Sequence, residues 1–173
     1  MKLYLVGSLR NSRIPKLGAG LRAAGHEVFD DWFAPGPRAD DFWRQYEKKR
    51  GRSYREALNG YAATHVFDFD RSHIDRADAG ILVAPAGKSA HLELGYMIGR
   101  GQLGYVLFAK EPARWDIMYK FAHGIFFNPA ELLERLEWPA HQQYQPSMQL
   151  SQSAAPVTEI SQPTRLSRNG SRP

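Results

Sequence analysis

Residues 85–96 read PAGKSAHLELGY and contain two patterns that could do chemistry. The first is the tripeptide GKS, which matches the end of a phosphate-binding P-loop. That pattern requires a glycine five residues before Gly87, where this chain has Leu82 in an apolar run, so the spacing excludes a P-loop site. The second is Glu93, a carboxylate among apolar and small residues that is expected to be partly desolvated. Such a group can attack an electrophilic sugar carbon, or it can simply be a helix-favouring glutamate.

The elements that must position Glu93 follow from the hydrophobic pattern. Short apolar runs predict strands at 3–6, 27–29, 79–84, 105–109 and 125–127, with predicted helices between them at 14–24, 40–66 (interrupted near Gly51), after 87, at 115–122 and at 129–137. Ser89 is the predicted N-cap of the helix that carries Glu93. This alternation predicts one α/β domain over residues 1–138, with a doubly wound, flavodoxin-like parallel sheet of about five strands.

Polar residues follow the first three of these strands, and ligands bind at the carboxyl ends of strands in such sheets. Gly7 and Ser8 would let backbone N–H groups approach an anion or a hydroxyl, and Arg10 would add guanidinium donors. An ordinary turn between strand and helix would have the same residues. Trp32 after the second strand is a candidate for stacking on a nucleobase, with local packing as the alternative.

Composition limits the classes of function. The chain has 173 residues, of which 43% are hydrophobic, and no apolar run reaches membrane-spanning length. It has no cysteine, which excludes disulfides and thiolate chemistry, and a cytoplasmic location is the expectation. Its histidines lack metal-ligand spacing, so we expect neither a metal nor another cofactor.

Charge is the remaining feature of composition. The net charge of +5 includes a basic run with aromatic residues over 43–55, which could bind nucleic acid but is more typical of a solvated helix face. Residues 139–173 are rich in Gln, Ser, Pro and Arg without periodicity, so a disordered tail is expected there.

The order of these motifs resembles a known enzyme family. Residues 7–10 (GSLR), Asp70, residues 77–78 (AD) and residues 89–96 (SAHLELGY) are similar in sequence and spacing to the nucleoside 2-deoxyribosyltransferases, including the 2′-deoxynucleoside 5′-monophosphate N-glycosidases. The resemblance covers residues 2–127. It implies an enzyme that cleaves or exchanges the N-glycosidic bond of 2′-deoxynucleosides or their 5′-monophosphates, with free nucleobase as the other small-molecule partner. A non-catalytic nucleotide-binding or sensing module on the same fold is the alternative.

The resemblance also implies roles for particular residues. Glu93 falls on the nucleophile that attacks C1′ of the deoxyribose, giving a covalent intermediate that a second base or water then resolves. Tyr4 falls on a tyrosine that orients this glutamate, and Asp70 on an aspartate that contacts sugar hydroxyls or protonates the leaving base. Ser8 and Arg10 fall where monophosphate-specific members contact the 5′-phosphate. Ser89 falls near a phosphate-binding serine of the same members.

Two positions depart from the family pattern. Gly87 replaces an aspartate that many transferases carry six residues before the nucleophile. Asp116 lies where the N-glycosidases use a serine of a neighbouring subunit to bind phosphate, and a carboxylate there would repel it. Asp116 therefore favours a nucleoside with a free 5′-hydroxyl, whereas Arg10 favours a 5′-monophosphate.

Large side chains near the nucleophile helix, together with the resemblance, predict a homodimer or a dimer of dimers; they are Tyr96, Met97, Tyr119 and Phe121.

Overall fold

The computed structural model describes residues 1–137, which form a five-stranded, entirely parallel sheet with helices on both faces. The strands are β1 (Lys2–Val6), β2 (Glu27–Phe29), β3 (Ala79–Val83), β4 (Leu103–Leu107) and β5 (Gly124–Phe126), in the order β2-β1-β3-β4-β5. The helices are α1 (Arg13–Ala23), α2 (Ala39–Lys49), α3 (Tyr54–Leu58), α4 (Tyr61–Arg76), α5 (Lys88–Gly99) and α6 (Pro129–Glu137), and Asp31–Phe33 and Ile117–Phe121 form 3-10 turns. The predicted fold class is confirmed, and the predicted tail lies outside the described residues.

Alternation along the strands divides the buried side chains between two cores. On one face, Leu5 of β1 and its neighbours pack against α1 and α6. On the other face, Tyr4 and Val6 pack with Leu94 and Met97 of α5 and with the end of α4. The sheet is therefore doubly wound, as predicted. None of the helices in the described part of the chain is long and apolar enough to cross a membrane.

Two glycines on neighbouring strands set how closely α5 approaches the sheet. Gly80 of β3 is paired in register with Gly104 of β4. A Cβ on Gly80 would lie 2.5 Å from the sulfur of Met97, and one on Gly104 would lie 2.5 Å from Cγ1 of Ile98. Side chains of the helix that carries Glu93 thus pack directly on the backbone of two strands, and a larger residue at either glycine would force them to shift.

The structure differs from the predicted elements in four places. The helix expected over 40–66 is three helices, because the chain turns at Gly51 (φ 72°) and Ser53 starts α3 with a capping box. Helix α4 then continues to Arg76, well past the predicted end. Helix α5 begins one residue before the predicted cap Ser89, with Gly87 as its N-cap. The predicted helix at 115–122 is a 3-10 turn.

Candidate active site

Three titratable side chains from three different elements share one partly buried site. Tyr4 of β1 is 1% exposed and belongs to the core beneath α4 and α5. Asp70 of α4 and Glu93 of α5 are both half-buried. Burial of a carboxylate disfavours its charged form, so each must have its pKa raised unless a cation compensates.

The pKa values show that these three groups influence one another. Burial raises the pKa of Glu93 from its usual 4.5 to about 7, and the negative charge of Asp70 adds to this increase. Burial alone raises the pKa of Asp70 to about 6. The pKa of Tyr4 is raised by burial first and then by the charges of Glu93 and Asp70, so its hydroxyl stays protonated at neutral pH. The structure therefore brings together the three residues predicted to be catalytic.

Aromatic rings from β2 and α4 line one side of Tyr4. Phe29 stacks on Tyr4 with 5.3 Å between ring centroids, and His73 stacks on Phe29 at 3.7 Å. Burial, followed by the charge of Arg76, lowers the pKa of His73. Sequence reasoning missed both Phe29 and His73. One signal in the sequence could have identified His73: it lies three residues after Asp70 on one helix, and residues at this spacing share a helix face.

The loop after β1 is held by its own side chains and by α2. The Ser8 Oγ accepts a hydrogen bond from the Arg10 backbone N–H at 3.2 Å. The Arg10 guanidinium forms an ion pair with Asp41 of α2, with 3.2 Å between Nη2 and Oδ2. The two predicted binding residues are thus neighbours, and the cation already has an anionic partner within the chain.

Asn11 and Arg13 connect this loop to the loop that leads into α5. Asn11 is 6% exposed, and its Nδ2 donates to the carbonyl oxygens of Val83 and Pro85 at 3.0 and 3.3 Å. The Arg13 Nη1 donates to the carbonyl oxygen of Ala84 at 2.9 Å. These bonds fix the segment between β3 and α5 relative to β1. Neither residue was predicted from the sequence.

Gly7 and Trp32 have clear packing roles. A Cβ on Gly7 would lie 2.7 Å from Cδ1 of Ile14, so a larger residue there would make this side chain of α1 shift. The Trp32 Nε1 donates to the carbonyl oxygen of Leu5 at 2.7 Å, and its ring packs against both cores. This contact supports the packing interpretation of Trp32; stacking on a nucleobase stays a prediction.

The start of α5 is open to solvent. Gly87 is its N-cap, a Cβ on Gly87 would meet no atom within 4 Å, and Ser89 is exposed in the first turn. The Gly87 carbonyl oxygen can only accept a hydrogen bond, so the protonated Nδ1 of His91 donates to it at 2.7 Å. Nε2 of His91 then accepts from the Tyr119 hydroxyl at 2.9 Å.

Asp116 lies on the opposite side of α5 from Glu93. Its Oδ1 accepts from the Met118 backbone N–H at 2.9 Å and caps the 3-10 turn. Together with His91, Gly95 and Gly99 of α5, this turn lines a mainly apolar groove of about 600 Å³, and Glu93 is not part of its lining. Within one chain, Asp116 is therefore separate from the site at Tyr4 and Glu93. Across residues 1–137, no three carboxylate or imidazole groups are grouped so that they could hold a metal ion.

Comparison with known proteins gives matches among solved structures. No family model matches the sequence, and no curated protein sequence matches it. The chain is similar in structure to a 2-deoxyribosyltransferase from the psychrotolerant bacterium Bacillus psychrosaccharolyticus, with a TM-score of 0.56 and 18% sequence identity over 83% of this chain and 96% of that one. It also matches the CMP N-glycosidase BcmB of Clostridium botulinum, with a TM-score of 0.47 and 17% identity over 80% of this chain and 100% of that one.

The first of these structures is matched over nearly its whole length. At this level of identity the similarity establishes the fold. The fold that the resemblance implies is therefore confirmed: the chain shares the fold of this 2-deoxyribosyltransferase structure.

Proposed function

We propose that this protein is an enzyme that cleaves or exchanges the N-glycosidic bond of 2′-deoxynucleosides or their 5′-monophosphates, with Glu93 as the nucleophile. The observation that carries the proposal is the electrostatic coupling of Glu93, Asp70 and Tyr4 in one partly buried site. Perturbed pKa values arising from burial and neighbouring charge are typical of catalytic groups. The shared fold with a 2-deoxyribosyltransferase supports the same assignment.

The chemistry follows from what each group can do. The ionised Glu93 carboxylate forms a bond to C1′ of the deoxyribose while the C1′–N bond breaks, and the electron pair of that bond leaves with the base. Asp70, with its pKa raised to about 6, keeps a protonated fraction near neutral pH, and in that form it can supply a proton to the leaving base. Tyr4 stays protonated and orients the Glu93 carboxylate. A second base or water then attacks C1′ from the face left open, which frees Glu93 and retains the configuration.

The proposal includes a second copy of the chain. The groove beside α5 adjoins apolar side chains that a lone domain leaves exposed, such as Trp115 at 79% and Ile117 at 77%. Gly95 and Gly99 face this groove, and a Cβ on either would meet nothing within 4 Å. Nothing among residues 1–137 explains glycine at these helical positions, whereas close approach of another chain would. We propose a homodimer or dimer of dimers in which Asp116 reaches the site of its neighbour.

The experiment that tests the function is incubation with a panel of deoxynucleosides and deoxynucleotides, with and without a free acceptor base, followed by chromatography. We expect the wild-type protein to release base and Glu93→Gln to lose at least about 10³-fold in turnover while still binding substrate. Glu134→Gln, an exposed glutamate on α6, is the matched control and should retain activity. Undiminished turnover in Glu93→Gln would end the double-displacement proposal. Binding without turnover in the wild type would favour the non-catalytic module.

Substrate preference at C2′ gives a second test in the same assay. The resemblance implies 2′-deoxy substrates, so we expect deoxyadenosine to react much faster than adenosine. Equal rates for the two nucleosides would contradict this part of the proposal.

A further inference from the structure

Asp41 lies between two arginines at the rim of the candidate site. Its Oδ2 pairs with Arg10 at 3.2 Å and its Oδ1 with Arg44 at 3.3 Å. Asp41 is in the first turn of α2, where the helix dipole favours a negative charge. The Arg10 side chain is 64% exposed and the Asp41 side chain 32%, so the pair is accessible from solvent.

The position of this pair relative to Glu93 follows from the bonds of the neighbouring residue. Asn11, next to Arg10, binds the carbonyl oxygens of Val83 and Pro85, just before α5 begins. Arg10 and Asp41 are thereby held beside the carboxyl ends of β1 and β3. The aromatic rings of Phe29 and His73 occupy the other side of Tyr4, toward β2 and α4. Ligands bind at this edge of a doubly wound sheet, so Arg10 and Asp41 stand where one end of a nucleoside bound at Glu93 can reach them.

We infer that Asp41 is a specificity-determining residue that selects substrates with an uncharged 5′-hydroxyl over 5′-monophosphates; this inference rests on the proposed function. A phosphate at the rim would meet the Asp41 carboxylate and would have to displace it from Arg10 to gain a bidentate contact. A 5′-hydroxyl leaves the ion pair intact and can accept from the guanidinium at the same time. The sequence contains opposite indications in Arg10 and Asp116, and the ion pair reconciles them because a carboxylate of the chain already contacts the Arg10 guanidinium that a phosphate would need.

The test compares a deoxynucleoside with its 5′-monophosphate in steady-state kinetics. Wild-type protein should prefer the nucleoside. Asp41→Asn should raise the ratio of kcat/KM for the monophosphate to that for the nucleoside about three- to tenfold. This change should come from a lower KM for the monophosphate. Asp40→Asn removes the same charge from the neighbouring exposed position and should leave the ratio unchanged. In the double variant Arg10→Ala/Asp41→Asn the gain should disappear, because the freed guanidinium is its source.

Binding of the monophosphate, measured by calorimetry in parallel, separates this inference from the proposed function. Absence of turnover in the wild type, together with tighter monophosphate binding in Asp41→Asn, would overturn the function and uphold the role of Asp41. A ratio and an affinity that do not change in Asp41→Asn would overturn the role of Asp41 alone. A gain that persists without Arg10, or that Asp40→Asn reproduces, would show only a general charge effect and would equally overturn it.

Discussion

Glu93 combines a chemical advantage with a cost in stability. Its pKa is about 7 in the folded protein and near 4.5 when exposed to water, so the folded state disfavours the ionised form. Below pH 4.5 the group is protonated in both states, and the stability that protonation contributes is lost as the pH rises through 7. We therefore expect Glu93→Gln to raise the free energy of unfolding by about 1–3 kcal/mol at pH 8.

Urea denaturation of the two proteins at several pH values measures this effect. The difference should shrink steadily as the pH falls toward 4.5 and vanish below that value. A difference that is constant across this range would mean that Glu93 does not carry the raised pKa.

Asp70 should control the pH at which the enzyme works. Its negative charge contributes to the raised pKa of Glu93, whose ionised form is the nucleophile. Asp70→Asn removes that charge, so the acidic limb of the kcat/KM profile should move to lower pH, even though loss of the proton donor lowers the maximum. Asp68→Asn, an exposed neighbour on α4, should leave the limb in place. An unmoved limb in Asp70→Asn would show that the two carboxylates do not interact.

The sequence is informative about some of these residues and silent about others. Glu93, Tyr4 and Asp70 could be singled out because short motifs around them resemble a known family. Asn11 could not, because its function depends on carbonyl groups 72 and 74 residues further along the chain. The partner of Arg10 is similarly remote, since Asp41 is brought to it only by the path of α2.

At the scale of elements, the close packing of α5 on Gly80 and Gly104 should determine where Glu93 lies. Gly104→Ala would place a methyl group within about 2.5 Å of Ile98 and push the helix outward. We expect a loss of about 1–3 kcal/mol in the free energy of unfolding, accompanied by lower kcat.

The matched control for this variant is Gly20→Ala on α1, where a Cβ would meet nothing within 4 Å. That change should stabilise the protein by about 0.5–1 kcal/mol because alanine favours the helix. Thermal denaturation of both variants, together with turnover, decides the matter. Equal stability of the two variants would show that α5 can shift at no cost.

The elements differ in how well their sequences predict them. The strands were recognisable because continuous apolar runs mark strands that are buried on both faces. Helix α4 was predicted too short, because residues 61–76 mix aromatic, polar and charged side chains and only Ile74 among them is buried. Contacts with the rest of the fold stabilise the continuation of this helix, and such contacts cannot be predicted from local helix propensity.

At the scale of the whole molecule, the exposed apolar surface beside α5 predicts association. We expect light scattering at micromolar concentration to give the mass of a dimer or of a dimer of dimers. Met118→Glu changes a side chain that is largely exposed in the single chain, so the fold should tolerate it while the assembly dissociates. Lys16→Glu, on the exposed face of α1, should not affect the mass. A monomer with full activity would show that each site is complete within one chain, and the role of Asp116 would be withdrawn.

The strand order has a further consequence, for the synthesis of the chain. Of the five strands of this sheet, β1 comes first along the chain, and it becomes an inner strand between β2 and β3. Its backbone at Lys2 bonds to Asp78, which is 76 residues later in the chain. Until the chain has left the ribosome as far as Val83, the end of β3, strand β1 can pair on one edge only, with β2. The apolar residues of β1 stay partly uncovered during that time. The order in which the five strands are synthesised is therefore not the order in which the sheet can be completed, and the first of these strands is among the last to be covered.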